Sequence, residues 1–154
     1  MQKITPFLWF DKEAKKAAEF YASVFKGSKI KKATTLNDTP SGTVEVVTIE
    51  LLGQEFTLMS AGPLFKFNEA ISFVVNCKTQ EEIDYYWKKL SADPKAEQCG
   101  WLKDKYGLSW QVVPTALVEM LQDKDPKKSE RVMQSMLRMK KIDIEKLKQA
   151  YEQR

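Results

Sequence analysis

The sequence predicts an α+β fold in which two β-α-β-β-β modules, residues 1–62 and 68–114, form one domain over 1–114, with a helical extension over 115–154. Three observations predict it. The stretch Cys99 to Pro114, C-G-W-L-K-D-K-Y-G-L-S-W-Q-V-V-P, sets β-branched and aromatic residues around D-K-Y-G, where Gly107 accepts the positive φ of a hairpin turn. The two half-chains open with the same order of strand, amphipathic helix and further strands, although their residues are not visibly alike. Beyond Pro114 the apolar residues recur at helical spacing to the end of the chain.

Taken in order, Lys3 to Phe10 (K-I-T-P-F-L-W-F) is apolar and aromatic, a strand in which Pro6 needs no ladder donor. Asp11 to Phe25 places Ala14, Ala17, Ala18, Tyr21 and Val24 on one helical stripe, with Asp11 as the expected N-cap and Gly27 as the stop. Strands follow at Lys29–Leu36, Thr43–Leu52 and Gln54–Ser60, separated by the loop N-D-T-P-S-G and a turn at Gly53. The second half starts with a strand over Ala70–Asn76. Thr79 caps a helix through Leu90, whose first turn carries Glu81 and Glu82 to complement the helix dipole. A loop over Ser91–Gln98 leads into the hairpin. The extension reads as helices from Thr115, from Asp125-Pro126 and from Asp143, with Val132, Met136 and Met139 turned inward, and is expected to pack on the domain or on a subunit partner.

Composition narrows the function classes. A chain of 154 residues buries a real core. Its two cysteines, Cys77 and Cys99, lack CxxC spacing and read as buried free thiols of a reduced, cytoplasmic protein. No apolar run approaches the roughly 20 residues of a membrane span. The net charge of +4 is concentrated at residues 124–154, which hold ten Lys or Arg against five Asp or Glu. Acidic residues are interspersed there without aromatic stacking partners, so a solvated helix face is expected and neither nucleic acid nor membrane is an expected partner. No histidine occurs, which removes Ser/His and Cys/His dyads. Lys103 and Asp104, in the hairpin turn, are expected to be solvated.

The repeated module order, together with I-T-P-F-L-W-F, A-E-F-Y, F-T-L-M-S, A-I-S-F-V-V-N-C and the hairpin, resembles the PhnB-like branch of the vicinal oxygen chelate superfamily, which includes glyoxalase, extradiol dioxygenases and bleomycin-resistance proteins. The resemblance implies the glyoxalase/bleomycin resistance/dioxygenase fold, with mixed sheets curled into cups and a homodimer. Members of this branch are often labelled demethylubiquinone methyltransferases. Here no strand-to-helix glycine-rich loop of the kind that cradles S-adenosylmethionine is present, and only six glycines occur. The superfamily's chemistry implies a divalent metal held by His, Gln or Glu on four strands. The corresponding slots fall near Thr5, Met59 and Ala70 and on Gln111. None of the first three can hold such a metal well and Gln111 offers only a weak neutral amide oxygen, so neither a metal nor another cofactor is expected.

Strand alternation then sorts cup wall from core. Thr5, Phe7 and Trp9 share the cup side of strand one while Leu8 and Phe10 pack under the helix. Ser72 and Val74 face the cup with Ile71, Phe73 and Val75 inward, and Ser109, Gln111 and Val113 share the cup side of the hairpin. Trp101 adds a further wall. The candidate ligand-binding set is Thr5, Phe7, Trp9, Met59, Ser72, Trp101, Ser109 and Gln111. The candidates for catalysis are Glu50, as a general base, and Gln111. The leading expectation is binding of a small apolar or aromatic ligand without a metal. The alternatives are an atypical metal-dependent lyase or dioxygenase of the glyoxalase type, and a regulatory or protein-interaction module. The last uses the extension, whose removal is expected to change assembly and leave the pocket intact.

Overall fold

A computed structural model describes residues 2–153 of the chain. It divides into two compact units, one ending at Phe67 and the other beginning at Asn68, each with its own sheet.

The first unit contains β1 (Phe7–Phe10), α1 (Ala14–Val24), β2 (Lys29–Thr39), β3 (Gly42–Leu51) and β4 (Gln54–Ser60). Its four-stranded sheet has the order β1-β4-β3-β2, with β1 parallel to β4 and the other pairs antiparallel. The expected alternation is observed, since Leu8, Phe10, Val47, Ile49, Phe56 and Leu58 are all buried on one side.

Strand one begins at Phe7 instead of Lys3. Pro6 has no N–H for the ladder, and the Gln2 side chain takes over its pairing role. Its Nε2 donates to Glu55 O at 3.0 Å and its Oε1 accepts from Glu55 N at 3.1 Å, so an amide imitates one strand residue. Asp11 is not the N-cap of α1. The cap is Glu13, with no side-chain cap bond, and the N–H of Ala14 is instead satisfied by Ser60 Oγ of β4 at 2.9 Å. The loop expected at Asn37–Gly42 is shorter than its composition implies. β2 persists to Thr39, whose Oγ1 donates to Gly42 O at 2.7 Å and accepts from Ser41 N at 3.1 Å to close a tight turn.

The second unit contains β5 (Ser72–Cys77), α2 (Gln80–Leu90), β6 (Trp101–Lys103) and β7 (Ser109–Pro114), followed by α3 (Thr115–Leu121), α4 (Pro126–Leu137) and α5 (Ile144–Glu152). Its sheet is three-stranded, β5-β7-β6, with β5 parallel and β6 antiparallel to β7. The second module is thus one strand shorter than the first. Residues 91–98 hold only a single 3₁₀ turn, Pro94–Ala96, capped by the Asp93 side chain on Lys95 N at 3.0 Å. Thr79 does cap α2, accepting from Glu82 N at 3.2 Å, while Glu82 reaches back to Lys78 N at 3.1 Å.

One facing is corrected. Ile71, expected inward, is 67% exposed, because β5 begins at Ser72 and the residue before it lies in a bend. Phe73, Val75 and Cys77 take the core side, with the Phe73 ring 5.7 Å from that of Trp110.

The extension has a core of its own, Leu117, Val132, Met139, Ile142 and Leu147, with Val113 and Met136 packed against it. Met133 lies outside this cluster at 38% exposure. The helices are also tied to the module by hydrogen bonds. Cys99 N donates to Met139 O at 2.7 Å and Gly100 N to Lys140 O at 2.8 Å, and Gln98 Nε2 donates to Leu137 O at 2.8 Å. On the other side Gln80 clamps the start of α5, giving a bond to Ile142 O at 2.9 Å and accepting one from Ile144 N at 2.8 Å.

Candidate functional site

The β6–β7 hairpin sets the site, and its turn is built around Asp104. This residue is not solvated as its charge implied. It is 3% exposed, and its Oδ1 accepts from Tyr106 N at 2.8 Å and Leu108 N at 3.1 Å while Oδ2 accepts from the Trp110 indole at 2.9 Å. An Asp at the head of a turn that takes the N–H two residues on is a common local device; the additional bonds to Leu108 and Trp110 lock the turn to the core. Gly107 N donates to Asp104 O at 3.0 Å with φ at +85°, the conformation that only glycine adopts without strain.

With the turn fixed, the register fixes the open face. Trp101 stands opposite Gln111 and Lys103 opposite Ser109, while across the parallel pair Ser72 stands opposite Ser109 and Val74 opposite Gln111. Residues directly opposite share a face. The sequence-derived set Ser72, Trp101, Ser109 and Gln111 is therefore brought together on one face of the second sheet. Gln111 Nε2 donates to Ser72 Oγ at 2.9 Å, which ties the expected fourth metal slot into the face as a hydrogen-bonding strut.

Beside Trp101 this face opens into a cavity of about 470 Å³, lined by Trp101, Leu102, Cys99, Ser109, Lys103 and Glu69 among others. Ser109 is 1% exposed, and its Oγ is the one buried side-chain oxygen without a hydrogen-bond partner among the described residues. A hydroxyl kept out of water and unpaired costs about 1–3 kcal/mol, so such a group in a cavity wall calls for an explanation beyond stability. Lys103 forms an ion pair with Glu69, and that lysine holds the Glu69 carboxyl below the usual carboxylate range. Sequence reasoning missed Lys103, Glu69 and Cys99 as lining. The available signal was period two: Lys103 must share the face of Trp101, and its charge concealed that.

The remaining candidates lie in the first unit. Thr5 lies outside β1 and Phe7 is 59% exposed. Trp9 and Met59 are half-buried and in register with each other on the open face. Trp9 is engaged locally, its indole donating to Gly62 O at 2.9 Å and its ring meeting Phe65 edge-on at 4.9 Å. Glu50 is on that same face, between Lys29 on β2 and Glu55 on β4. The Ala70 slot is exposed in a turn outside β5.

The metal expected of the superfamily does not fit these residues. Two of the four slots are off the strands, Met59 has no hard donor, and Gln111, whose Nε2 is given to Ser72, offers a single neutral amide oxygen. Among the described residues no group of three or more His, Cys, Asp or Glu could hold a metal ion. The strand-to-helix junctions, D-K-E before α1 and K-T before α2, contain no glycine to admit a cofactor phosphate or ribose against the backbone.

The two cysteines behave differently. Burial pushes the Cys77 thiol up to about 12, and it raises that of Cys99, which is only half-buried in the cavity wall. In native protein at pH 8 a disulfide reagent is expected to label Cys99 slowly and Cys77 only after denaturant is added. Fast labelling of Cys77 in the native state would contradict its burial. Because the folded Cys77 pKa lies above the unfolded value near 9, its contribution to stability is complete below about pH 9 and declines as pH rises towards 12. Alkaline melts should show that loss, and a Cys77→Ala variant should show less of it.

Among the described residues no helix is long and apolar enough to cross a membrane. No curated protein matches the chain. The PhnB protein of Bacillus cereus is 35% identical over 74% of this chain and 100% of its own, with a TM-score of 0.61. The fosfomycin resistance protein FosX of Mesorhizobium loti shares the fold at 12% identity over 80% of this chain and 100% of its own, with a TM-score of 0.57. FosX of Listeria monocytogenes does so at 14% identity over 73% and 93%, with a TM-score of 0.52. The model of the family described as 3-demethylubiquinone-9 3-methyltransferase matches residues 2–113. The chain belongs to that family, the one that includes the PhnB protein.

Proposed function

We propose that this protein binds a small apolar or aromatic molecule in the cavity of its second unit, without a metal and without methyl transfer. The observation that carries this reading is the cavity of about 470 Å³ with Trp101 on its wall and Ser109, whose buried hydroxyl is unpaired, in its lining. That volume is in the range of ordinary small-molecule sites, and one aromatic wall with a few convergent polar groups is their usual chemistry. The donor set and the glycine-free strand–helix junctions support the metal-free, non-methyltransferase part of the reading. The same proposal includes a homodimer, supported by exposed apolar side chains such as Ile4, Leu64 and Ile71, and sedimentation at micromolar concentration tests it.

Native mass spectrometry of the purified protein is expected to show a co-purifying small molecule that is absent from Trp101→Ala. Its addition back should quench tryptophan emission in the wild type and protect Cys99 from labelling. An adduct that persists in Trp101→Ala would place the ligand elsewhere. Stoichiometric Zn, Mn, Ni or Fe that survives dialysis and disappears in Gln111→Ala would overturn the metal-free reading.

A further inference from the structure

The cavity wall carries an arrangement that an apolar ligand alone does not use. Lys103 and Ser109 are direct cross-strand neighbours on one face, the lysine at the rim and the hydroxyl buried. The Lys103 ammonium is partnered by Glu69, and the two side chains differ in exposure, 27% for Lys103 against 64% for Glu69. Glu69 stands in a turn ahead of β5, outside the sheet. The cation is thus part of the framework and its counter-ion is not. A second lysine, Lys95, also lines the cavity, so the charged lining residues carry two positive charges against the single carboxylate of Glu69.

Ser72, on the same row as Ser109, has its hydroxyl bonded to Gln111 at 2.9 Å, whereas Ser109 Oγ has no partner. A neutral hydrophobe would leave that hydroxyl unpaired and the ion pair unchanged. An anion would satisfy both, accepting from Ser109 Oγ and from Lys103 Nζ in charge-assisted bonds.

We propose that the ligand of this cavity is an anion on an apolar or aromatic body, of the aryl carboxylate or sulfonate class, whose charged group displaces Glu69 from Lys103 and accepts the Ser109 hydroxyl proton in a hydrogen bond. This rests on the cavity-binding reading above and adds the charge. Glu69 serves as an exchangeable lid ion: it neutralises Lys103 in the empty protein and moves to solvent, where it is already largely exposed, on ligand entry. No covalent step is involved.

The test uses two fluorescent probes with the same aromatic body, anilinonaphthalene sulfonate and the uncharged N-phenylnaphthylamine, titrated into full-length protein. The sulfonate is expected to bind about tenfold more tightly, the scale of one charge-assisted bond. Lys103→Met should lower sulfonate affinity about tenfold and leave the neutral probe within about twofold, while Lys103→Arg restores the difference. Glu69→Gln should tighten the sulfonate several-fold by removing its competitor. Ser109→Ala should weaken the sulfonate while leaving the melting temperature unchanged or raised, since it deletes an unpaired buried hydroxyl. If both probes bind equally and neither responds to Lys103→Met, the anion assignment is overturned while the cavity reading stands. If binding of both probes is indifferent to Trp101→Ala, the cavity itself is not the binding site and both readings fail.

Discussion

Truncation after Pro114 is expected to abolish ligand-dependent quenching of Trp101 and to destabilise the second unit, not merely to change its assembly. The reason lies at residues 98–100. Gln98 and Cys99 line the cavity, and their positions are held by hydrogen bonds to Leu137 and Met139. Without the helices, the Gly100 N–H exchanges Lys140 O for water, a net loss of roughly 0.5–1.5 kcal/mol. Ile142 and the cluster around it are lost as well, exposing Val113. Deleting a sizeable apolar contact adds several kcal/mol to that, a large share of the roughly 5–15 kcal/mol that holds a domain together. Chemical denaturation followed by circular dichroism should show an early, shallow transition.

A milder variant isolates the contact. In Gly100→Ala the new Cβ would stand 3.2 Å from Val112 O and 3.3 Å from Ile142 Cγ1, at a φ of +89°. The strain alone is worth about 1–3 kcal/mol, so loosened cavity binding with the helices still attached is the expected result. A truncated chain that melts cooperatively and still binds would show that the extension is dispensable, as the protein-interaction alternative requires.

The contrast shows where the sequence was legible. Period two sorted Leu8 from Trp9 and Trp110 from Gln111, because a strand with one buried face has no other way to satisfy its pattern. Helical stripes and the caps at Thr79, Asp125 and Asp143 were equally plain, since the residues that make these features are local. Features that depend on distant partners were hidden. Asp11 looked like a cap, yet Ser60, on another strand, satisfies the helix terminus instead. Whether the extension packs on the domain or on a subunit partner was not legible, because its ties to the module are backbone carbonyls at Leu137, Met139 and Lys140, which carry no side-chain signature. Ser109 was placed on the correct face, but nothing in the sequence told its hydroxyl from that of Ser72; only the register shows that Gln111 reaches one and not the other. Charge misled twice, at Lys103 and at Asp104, where solvation was the expectation and a structural partner was found.

Asp104→Ala is expected to cost roughly 3–5 kcal/mol, among the largest effects of any single substitution in this chain. Three N–H donors converge on this carboxylate, and two of them, Leu108 N and the Trp110 indole, belong to buried residues with no route to water. Alanine leaves all three without that acceptor. For a chain of this length the melting temperature should fall by about 10 °C, and binding should fall with it, because Ser109 follows the turn directly. Asp104→Asn separates charge from geometry. The amide oxygen can still accept from Tyr106 and Leu108, but the amide NH₂ then faces the indole N–H, donor against donor, and a loss of about 2 kcal/mol is expected. Trp110→Phe removes the opposing donor, so the double variant Asp104→Asn with Trp110→Phe should cost less than the sum of the two single changes. Strict additivity in that cycle, or an Asp104→Ala variant that melts within a degree or two of the parent, would mean that the hairpin is held by its strands alone. In that case Asp104 would be an incidental passenger in the turn, and the cavity face would owe its shape to the Trp110–Leu102 core beneath it.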